Sequence, residues 1–176
     1  MMNAKTIALT AICIAVVTVL VAIVPIPIPA TGGFTHPGAI AEIFVAVAFG
    51  PIIGMIAAGV GAALADLILG YGSFAPLTLV AHGSLGLLAG WLGYKKGWAG
   101  MLIGWVVGGL ALVGVYFVGE ATIYGFGGAG AAAEVPINLF QVGLGLLGIV
   151  LFEAVKRAFP QIEQLAAGST FTEEGV

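Results

Sequence analysis

Charged residues are scarce in this sequence. Lys, Arg, Asp and Glu together make up 7% of its 176 residues, whereas apolar residues make up 61% and the mean hydropathy is +1.19. A soluble domain typically has about 25% charged residues, which cover the surface that faces water. The scarcity of charge therefore excludes a soluble domain and predicts a chain embedded in a lipid bilayer.

Other absences narrow the function. A net charge of -3 without a basic run gives no sign of a nucleic-acid partner, and the single Cys13 cannot form a disulfide within the chain. The sequence has no G-x-x-x-x-G-K-[ST], H-E-x-x-H or G-x-S-x-G motif, so it predicts no ATP site, zinc-protease site or hydrolase nucleophile of its own. We expect no cofactor and no metal site.

What remains is a series of apolar segments separated by Gly, Pro and polar residues. Six of them predict membrane helices, at residues 5–24, 37–49, 52–69, 74–92, 98–119 and 134–158. The first is longer than the 7–15-residue core of a signal peptide and is followed by prolines instead of a cleavage site, so we interpret it as a helix. The second is short for a full crossing.

The connections are predicted from Pro and Gly. Pro25, Pro27 and Pro29 cannot continue a helix, and they predict an extended, polyproline-like loop that reaches Pro37. Residues 125–133 are rich in Gly and Ala and are expected to link the last two helices. The predicted organisation is one six-helix domain over residues 1–159 and a polar, frayed tail over residues 160–176.

The positive residues give the orientation. Lys5, Lys95, Lys96, Lys156 and Arg157 are the only Lys and Arg residues. With six helices, all of them fall on one side of the membrane, and the positive-inside rule makes that side cytoplasmic. Both termini are therefore predicted to be in the cytoplasm.

Small residues recur at four-residue spacing. They predict close helix–helix approach in lipid, at Ala57, Gly61 and Ala65 in the third segment, Gly86 and Gly90 in the fourth, and Gly100, Gly104 and Gly108 in the fifth. A similar row in the first segment (Ala4, Ala8, Ala11 and Ala15) has no evident internal partner. We expect this row to face another subunit.

Ionisable residues inside a membrane are costly, so each is a candidate for function. The candidates are Glu42, Asp66, His82, Glu120 and Glu134. His82 has no second histidine or cysteine at metal-ligand spacing, so it suggests packing more than a metal. Asp66, Glu120, Glu134 and His36 are predicted near the outer side, at the same level as the aromatic residues Phe34, Tyr71, Phe74, Tyr116, Phe117 and Tyr124.

Two interpretations of this outer level compete. The acids and aromatics could simply face headgroups and water. Alternatively, they could line a pocket that opens outward below the proline loop and suits a small, flat, nitrogen-rich ligand, because carboxylates accept hydrogen bonds from amino groups and repel phosphate.

Several motifs within residues 43–91 resemble one family of membrane proteins. They are Phe49-Gly50-Pro51, Ala65-Asp66-Leu67 followed by Gly70-Tyr71, and Ala75-Pro76-Leu77-Thr78-Leu79. In these motifs the chain resembles the substrate-binding S components of energy-coupling factor (ECF) vitamin transporters, of the riboflavin or hydroxymethylpyrimidine type.

The resemblance implies a function. S components capture a vitamin or precursor from outside and dock on a transmembrane T component driven by two ATPases, so ATP would be used by these partners. It implies that Ala11 and Ala15, extended by Ala4 and Ala8, meet the T component, and that residues 25–37 form a gate. The substrate-binding residues it implies, together with the gate, are Phe34, His36, Tyr71, Phe74, Thr78, His82, Glu120, Tyr124, Glu134, Asn138 and Gln141.

The sequence predicts an importer subunit in the cell membrane of a prokaryote, not an enzyme. An aminopyrimidine thiamine precursor fits the acidic, aromatic pocket best, while riboflavin-like and other heterocycles stay open. The alternatives are an integral membrane enzyme acting on a lipid or isoprenoid, and a scaffold that only packs with partners. No pair of carboxylates stands at i, i+3 or i, i+4 within the predicted bundle, which disfavours the enzyme.

Overall fold

A computed structural model describes residues 4–29 and 31–165. Its elements in chain order are α1 (Ala4–Ala22), β1 (Ile26–Ile28), β2 (Gly33–Thr35), α2 (Ala39–Phe49), α3 (Pro51–Leu69), α4 (Ala75–Gly93), α5 (Gly97–Thr122), α6 (Gly127–Ala158) and a 3-10 helix (Pro160–Gln164). Five of the helices are long and apolar enough to cross a membrane, and α2 has 11 residues. The predicted six-helix membrane bundle is confirmed.

Glycine sets two of the sharp helix ends. Gly50 joins α2 to α3 with a φ of 92°, and Gly70 ends α3 in the left-handed conformation with a φ of 86°. A side chain at either position would strain the backbone, since only glycine adopts positive φ without steric cost. Pro51 starts α3 at a position where its missing N–H costs nothing.

The prediction of a polyproline-like loop after α1 was wrong. β1 and β2 form an antiparallel hairpin in which Pro27 pairs with Phe34. Pro27 cannot donate a backbone hydrogen bond, but in a two-stranded hairpin its nitrogen can face away from the partner strand. The hairpin closes the end of the bundle where α1 ends and α2 begins.

The predicted start of α6 was also wrong. The helix begins at Gly127, not at Glu134, so most of the Gly- and Ala-rich stretch is helical, and it continues through Pro136. Pro136 lacks the N–H that would bond to the preceding turn, but alanine is the best helix former and the stretch before Pro136 contains several. As a result, α6 presents Glu134 from within a helix.

The helices are arranged around α2. In the packing order, α1 contacts α3, α3 contacts α4, α4 contacts α5, and α5 contacts α6, while α2 touches α1, α3, α4 and α6. Nine of the 11 residues of α2 are buried. Large apolar side chains such as Leu110, Phe140 and Ile68 point outward instead, as expected for a surface covered by lipid.

The small-residue stripes lie in the seams between helices, as the sequence predicts. A Cβ on Gly86 would stand 2.2 Å from the carbonyl oxygen of Gly54 across the α3–α4 seam. A Cβ on Gly104 would stand 2.7 Å from the carbonyl oxygen of Ala89 across the α4–α5 seam. Backbone meets backbone here, which only residues without bulk permit.

The opposite end of the bundle from the hairpin carries the positive residues. Lys95, after α4, and Lys156, at the end of α6, line one crevice there. Part of the expected frayed tail is ordered. In the 3-10 helix, Ile162 is buried and a carboxylate oxygen of Glu163 lies 2.7 Å from Nζ of Lys156. The rest of the predicted tail, residues 166–176, lies outside the described residues.

Candidate functional site

One polar cavity lies beneath the β1–β2 hairpin. The side chains around it leave a free volume of about 20 Å3, which is room for about one water molecule. The residues that line it are Gly33, Phe34, His36, Asp66, Phe74, Thr78, Tyr116, Glu120, Glu134, Asn138 and Gln141.

Helical spacing brings these side chains to one place. Glu134, Asn138 and Gln141 follow one another at four and three residues along α6 and therefore share a face. Tyr116 and Glu120 are four apart on α5, so they also face the same way. Asp66 comes from the last turn of α3 and Thr78 from the first turns of α4.

Two hydroxyl groups attach the hairpin to α6 across the cavity. The Thr31 hydroxyl donates to the Glu134 carboxylate, and the Thr35 hydroxyl donates to Oε1 of Gln141 over 2.8 Å. One carboxylate oxygen of Glu134 and the amide oxygen of Gln141 are therefore engaged by the hairpin.

Other acceptors in the cavity have no such partner. Both carboxylate oxygens of Glu120 and Oδ2 of Asp66 are buried without a hydrogen bond to any described residue. Glu120 is only 1% exposed. A buried acceptor left unpaired costs about 1–3 kcal/mol, and more when it is charged. These acceptors are free to receive hydrogen bonds from a molecule inside the cavity.

Aromatic rings form the outer layer of the site. Phe34 contacts Tyr71, with 4.6 Å between ring centroids, and Phe74 stacks on Tyr124 at 5.1 Å with an interplanar angle of 7°. The Tyr124 hydroxyl donates to the carbonyl oxygen of Ser73. Tyr71 and Tyr124 thus support the two lining rings from behind and do not themselves line the cavity.

His82 lies behind the cavity wall. Its Nδ1 is 2.9 Å from both carboxylate oxygens of Glu42, and both side chains have no exposed surface. The His82 ring also packs against His36, with 5.3 Å between centroids, and against the edge of Tyr116 at 5.9 Å. The pair therefore supports lining residues on two walls.

His36 is the only histidine in the described lining. It is 4% exposed, and burial, with the nearby His82 as the second cause, holds the pKa of His36 well below its usual value of 6.5. Its imidazole is therefore neutral at physiological pH. None of the described Lys or Arg residues lines the cavity.

The structure gathers most of the sequence-predicted set at this cavity. Tyr71, His82 and Tyr124 lie outside the lining, and the other eight are in it: Phe34, His36, Phe74, Thr78, Glu120, Glu134, Asn138 and Gln141. That they bind a ligand stays a prediction. The set omitted Asp66 and Tyr116, which the sequence places at the same level. The four-residue spacing of Tyr116 and Glu120 is the signal that could have found Tyr116.

The alanine row of α1 is exposed, and its docking role stays a prediction. Ala4, Ala8, Ala11 and Ala15 all face outward, while Cys13 and Val17 on the other side of the helix are buried. This face is formed by small side chains on an otherwise lipid-facing helix, which is the surface chemistry that permits close approach of another helix.

Comparison with known proteins identifies a family. A statistical model described as "ECF-type riboflavin transporter, S component" matches residues 1–157. A "Thiamine precursor transporter HmpT" from Lactococcus lactis is 34% identical over 162 residues, which are 88% of this chain and 90% of that protein.

The chain is also similar to two further proteins. An uncharacterized protein from Pyrococcus woesei is 46% identical over 122 residues, 69% of this chain and 80% of its own length. A solved structure described as the S component of a bacterial ECF transporter superposes with a TM-score of 0.70 at 18% identity and covers 88% of this chain and 96% of that one. At this identity the last similarity shows the fold alone.

Proposed function

This chain belongs to the family of ECF-type riboflavin transporter S components, and from that premise we propose that its substrate is a small aminopyrimidine, of the class of thiamine precursors. As a family member it is a multi-pass membrane protein and the substrate-binding subunit of an importer, not an enzyme. The observation that carries the choice of substrate is the acceptor-rich cavity in a chain 34% identical to a thiamine precursor transporter.

The chemistry of the cavity supports this substrate class. Asp66, Glu120 and Glu134 offer carboxylate oxygens to the amino group of a heterocycle, and Phe34 and Phe74 offer faces for its ring. Without a lining Lys or Arg among the described residues, the same carboxylates would repel a phosphate. The proposed ligand is therefore the unphosphorylated form.

Riboflavin is the second candidate, because the matching family is described as a riboflavin transporter family. It is a much larger molecule than an aminopyrimidine. Because the closed cavity has a volume of only about 20 Å3, either ligand requires it to open, and the smaller ligand requires less opening.

The hairpin is the proposed gate. It covers the cavity, and its Thr31 and Thr35 hydroxyls attach it to Glu134 and Gln141 of α6. In this proposal the hairpin releases α6, the ligand enters from outside, and Phe34 on β2 closes over it. Entry would break these contacts and the ring contacts of Phe34, none of which belongs to a helix seam.

The proposed partners supply the energy. We expect the exposed α1 face to dock on a transmembrane T component, and two ATPase subunits to use ATP on behalf of this chain, which itself needs no cofactor. Ala11→Trp is expected to block uptake into cells that contain the partners while ligand binding to the purified chain is retained. Ala99→Trp, at an exposed position of α5, is the matched control and should leave uptake intact.

The direct test is ligand identification. Small molecules released from the purified, detergent-solubilised protein are analysed by mass spectrometry, and the protein is then titrated with 4-amino-5-hydroxymethylpyrimidine, its phosphate ester and riboflavin. We expect a stoichiometric aminopyrimidine and tight binding of the unphosphorylated compound alone. Preferential binding of riboflavin or of the phosphate ester would overturn the proposed substrate.

A further inference from the structure

The side chain of His36 is held in one tautomer by the backbone. The N–H of Gly38 donates to Nδ1 of His36 over 3.2 Å. A neutral imidazole has one protonated and one unprotonated nitrogen, so the nitrogen that accepts this bond is unprotonated. The proton of His36 is therefore on Nε2.

Packing keeps the ring of His36 in place. A Cβ on residue 38 would stand 2.8 Å from Nδ1 of His36 and 2.4 Å from Cγ2 of Val21, so only glycine allows the backbone amide to approach the ring. The rings of Phe34 and His82 lie 5.5 and 5.3 Å from the imidazole centroid. An immobilised donor loses little entropy when it binds a ligand.

The other polar groups of the cavity make this donor distinctive. The carboxylates of Asp66, Glu120 and Glu134 act as acceptors when ionised. The Tyr116 hydroxyl is already donating, to Oγ1 of Thr78 over 3.0 Å. The amides of Asn138 and Gln141 also carry N–H donors, so the Nε2–H of His36 is one of a few donors in a described lining that has a surplus of acceptors.

Building on the function proposed above, we propose that His36 is a specificity-determining residue whose Nε2–H donates to a ring nitrogen of the ligand while Glu120 and Asp66 accept from its amino group. The site then selects a ring that carries an acceptor nitrogen as well as an amino donor. A ligand with amino donors alone would leave the His36 donor unpaired, and unpaired buried donors discriminate strongly against such a ligand.

The test compares two ligands and two proteins. 4-Amino-5-hydroxymethylpyrimidine and 2-aminobenzyl alcohol carry the same substituents in the same arrangement, but the second has no ring nitrogen. By calorimetric titration, we expect the wild-type protein to prefer the pyrimidine roughly tenfold. In His36→Leu the two ligands should bind about equally, and in His36→Gln, which keeps an N–H donor, part of the preference should return.

The preference ratio separates recognition from folding. Damage to the fold would weaken both ligands alike and leave the ratio unchanged. Should His36→Leu be unstable, the wild-type protein is titrated with the two aminopyridine analogues that each keep one ring nitrogen. One of them is expected to bind like the pyrimidine and the other like the carbocycle.

Three outcomes contradict the inference, and they differ in what they leave standing. An unchanged preference in His36→Leu, or equal binding of both aminopyridines, would overturn the role of His36 and leave the aminopyrimidine proposal standing. If the wild-type protein binds neither the pyrimidine nor the carbocycle, the proposed substrate class and this inference both fall.

Discussion

The seam between α3, α4 and α5 and the cavity under the hairpin are built in opposite ways. In the seam, backbone touches backbone: Gly54 faces Gly86, and Gly59 lies against the carbonyl oxygen of Leu79. In the cavity, both buried carboxylate oxygens of Glu120 and Oδ2 of Asp66 have no hydrogen-bond partner among the described residues. In the seam, backbone atoms pack directly against each other. In the cavity, buried polar groups lack hydrogen-bond partners that a ligand can supply.

Because of this difference, we expect substitutions in the seam to affect stability and substitutions in the cavity to affect ligand binding. Substitutions in the seam should damage the fold, because atoms of the backbone cannot move aside. Substitutions in the cavity should change ligand binding while the fold persists, because an unpaired buried polar group contributes nothing favourable to stability.

The largest effect is expected in the seam. Gly86→Ala places a Cβ 2.2 Å from the carbonyl oxygen of Gly54, and forcing α3 and α4 apart should cost about 1–3 kcal/mol or more. Gly143→Ala on α6 is the matched control, because nothing lies within 4 Å of its Cβ, and alanine favours a helix over glycine by up to ~1 kcal/mol. Thermal unfolding in detergent should show a large loss for the first variant alone. Equal unfolding temperatures would show that the seam is not tight.

The next effect is on binding. Glu120→Gln keeps the shape of the side chain but removes its charge, and a hydrogen bond to a charged group contributes about 1.5–3 kcal/mol. We expect the affinity for 4-amino-5-hydroxymethylpyrimidine to fall by one to two orders of magnitude while the unfolding temperature does not fall. Glu153→Gln, at the opposite end of α6, should change neither property. A Glu120→Gln protein that unfolds early and binds normally would reverse the assignment of roles.

The smallest effect is kinetic. Thr35→Val removes the 2.8 Å hydrogen bond to Gln141 and should weaken the closed hairpin by about 0.5–1.5 kcal/mol. Ligand dissociation, followed by rapid mixing, is expected to accelerate about two- to tenfold. Thr122→Val is the control, since among the described residues its hydroxyl donates only to the carbonyl oxygen of Val118 in its own helix. An unchanged dissociation rate in Thr35→Val would argue that the hairpin does not gate the cavity.

The positions of the helices could be predicted largely from the sequence, but their ends only in part. Apolar runs and Gly or Pro boundaries placed α3 and α5 within a few residues, because these signals are local. The start of α6 was missed, because a Gly- and Ala-rich stretch has no boundary residue that separates linker from helix. The hairpin was missed because its pairing depends on β2, whose Thr35 lies nine residues beyond its partner Ile26 at the outer pair.

The candidate site was also predicted only in part from the sequence. The level of Glu120, Glu134, Asn138 and Gln141 along the helices followed from counting residues. The separation of His82 from the cavity did not, because it depends on Glu42 of α2 lying 2.9 Å away, and that contact joins residues 40 positions apart. A lone membrane histidine shows no such partner in its own segment.

The sequence by itself determined that this chain lies in a membrane, how many helices it has and which faces are small enough to pack. Those properties follow from hydropathy and from spacing along one helix, which are summed over neighbouring residues. Only the tertiary structure decided which polar groups meet: Thr31 with Glu134, Glu42 with His82, and the N–H of Gly38 with His36. The first two contacts join segments distant in the chain, and no local pattern encodes them. The third spans only two residues, but the fit around it is tertiary, because a Cβ on Gly38 would stand 2.4 Å from Cγ2 of Val21 on α1.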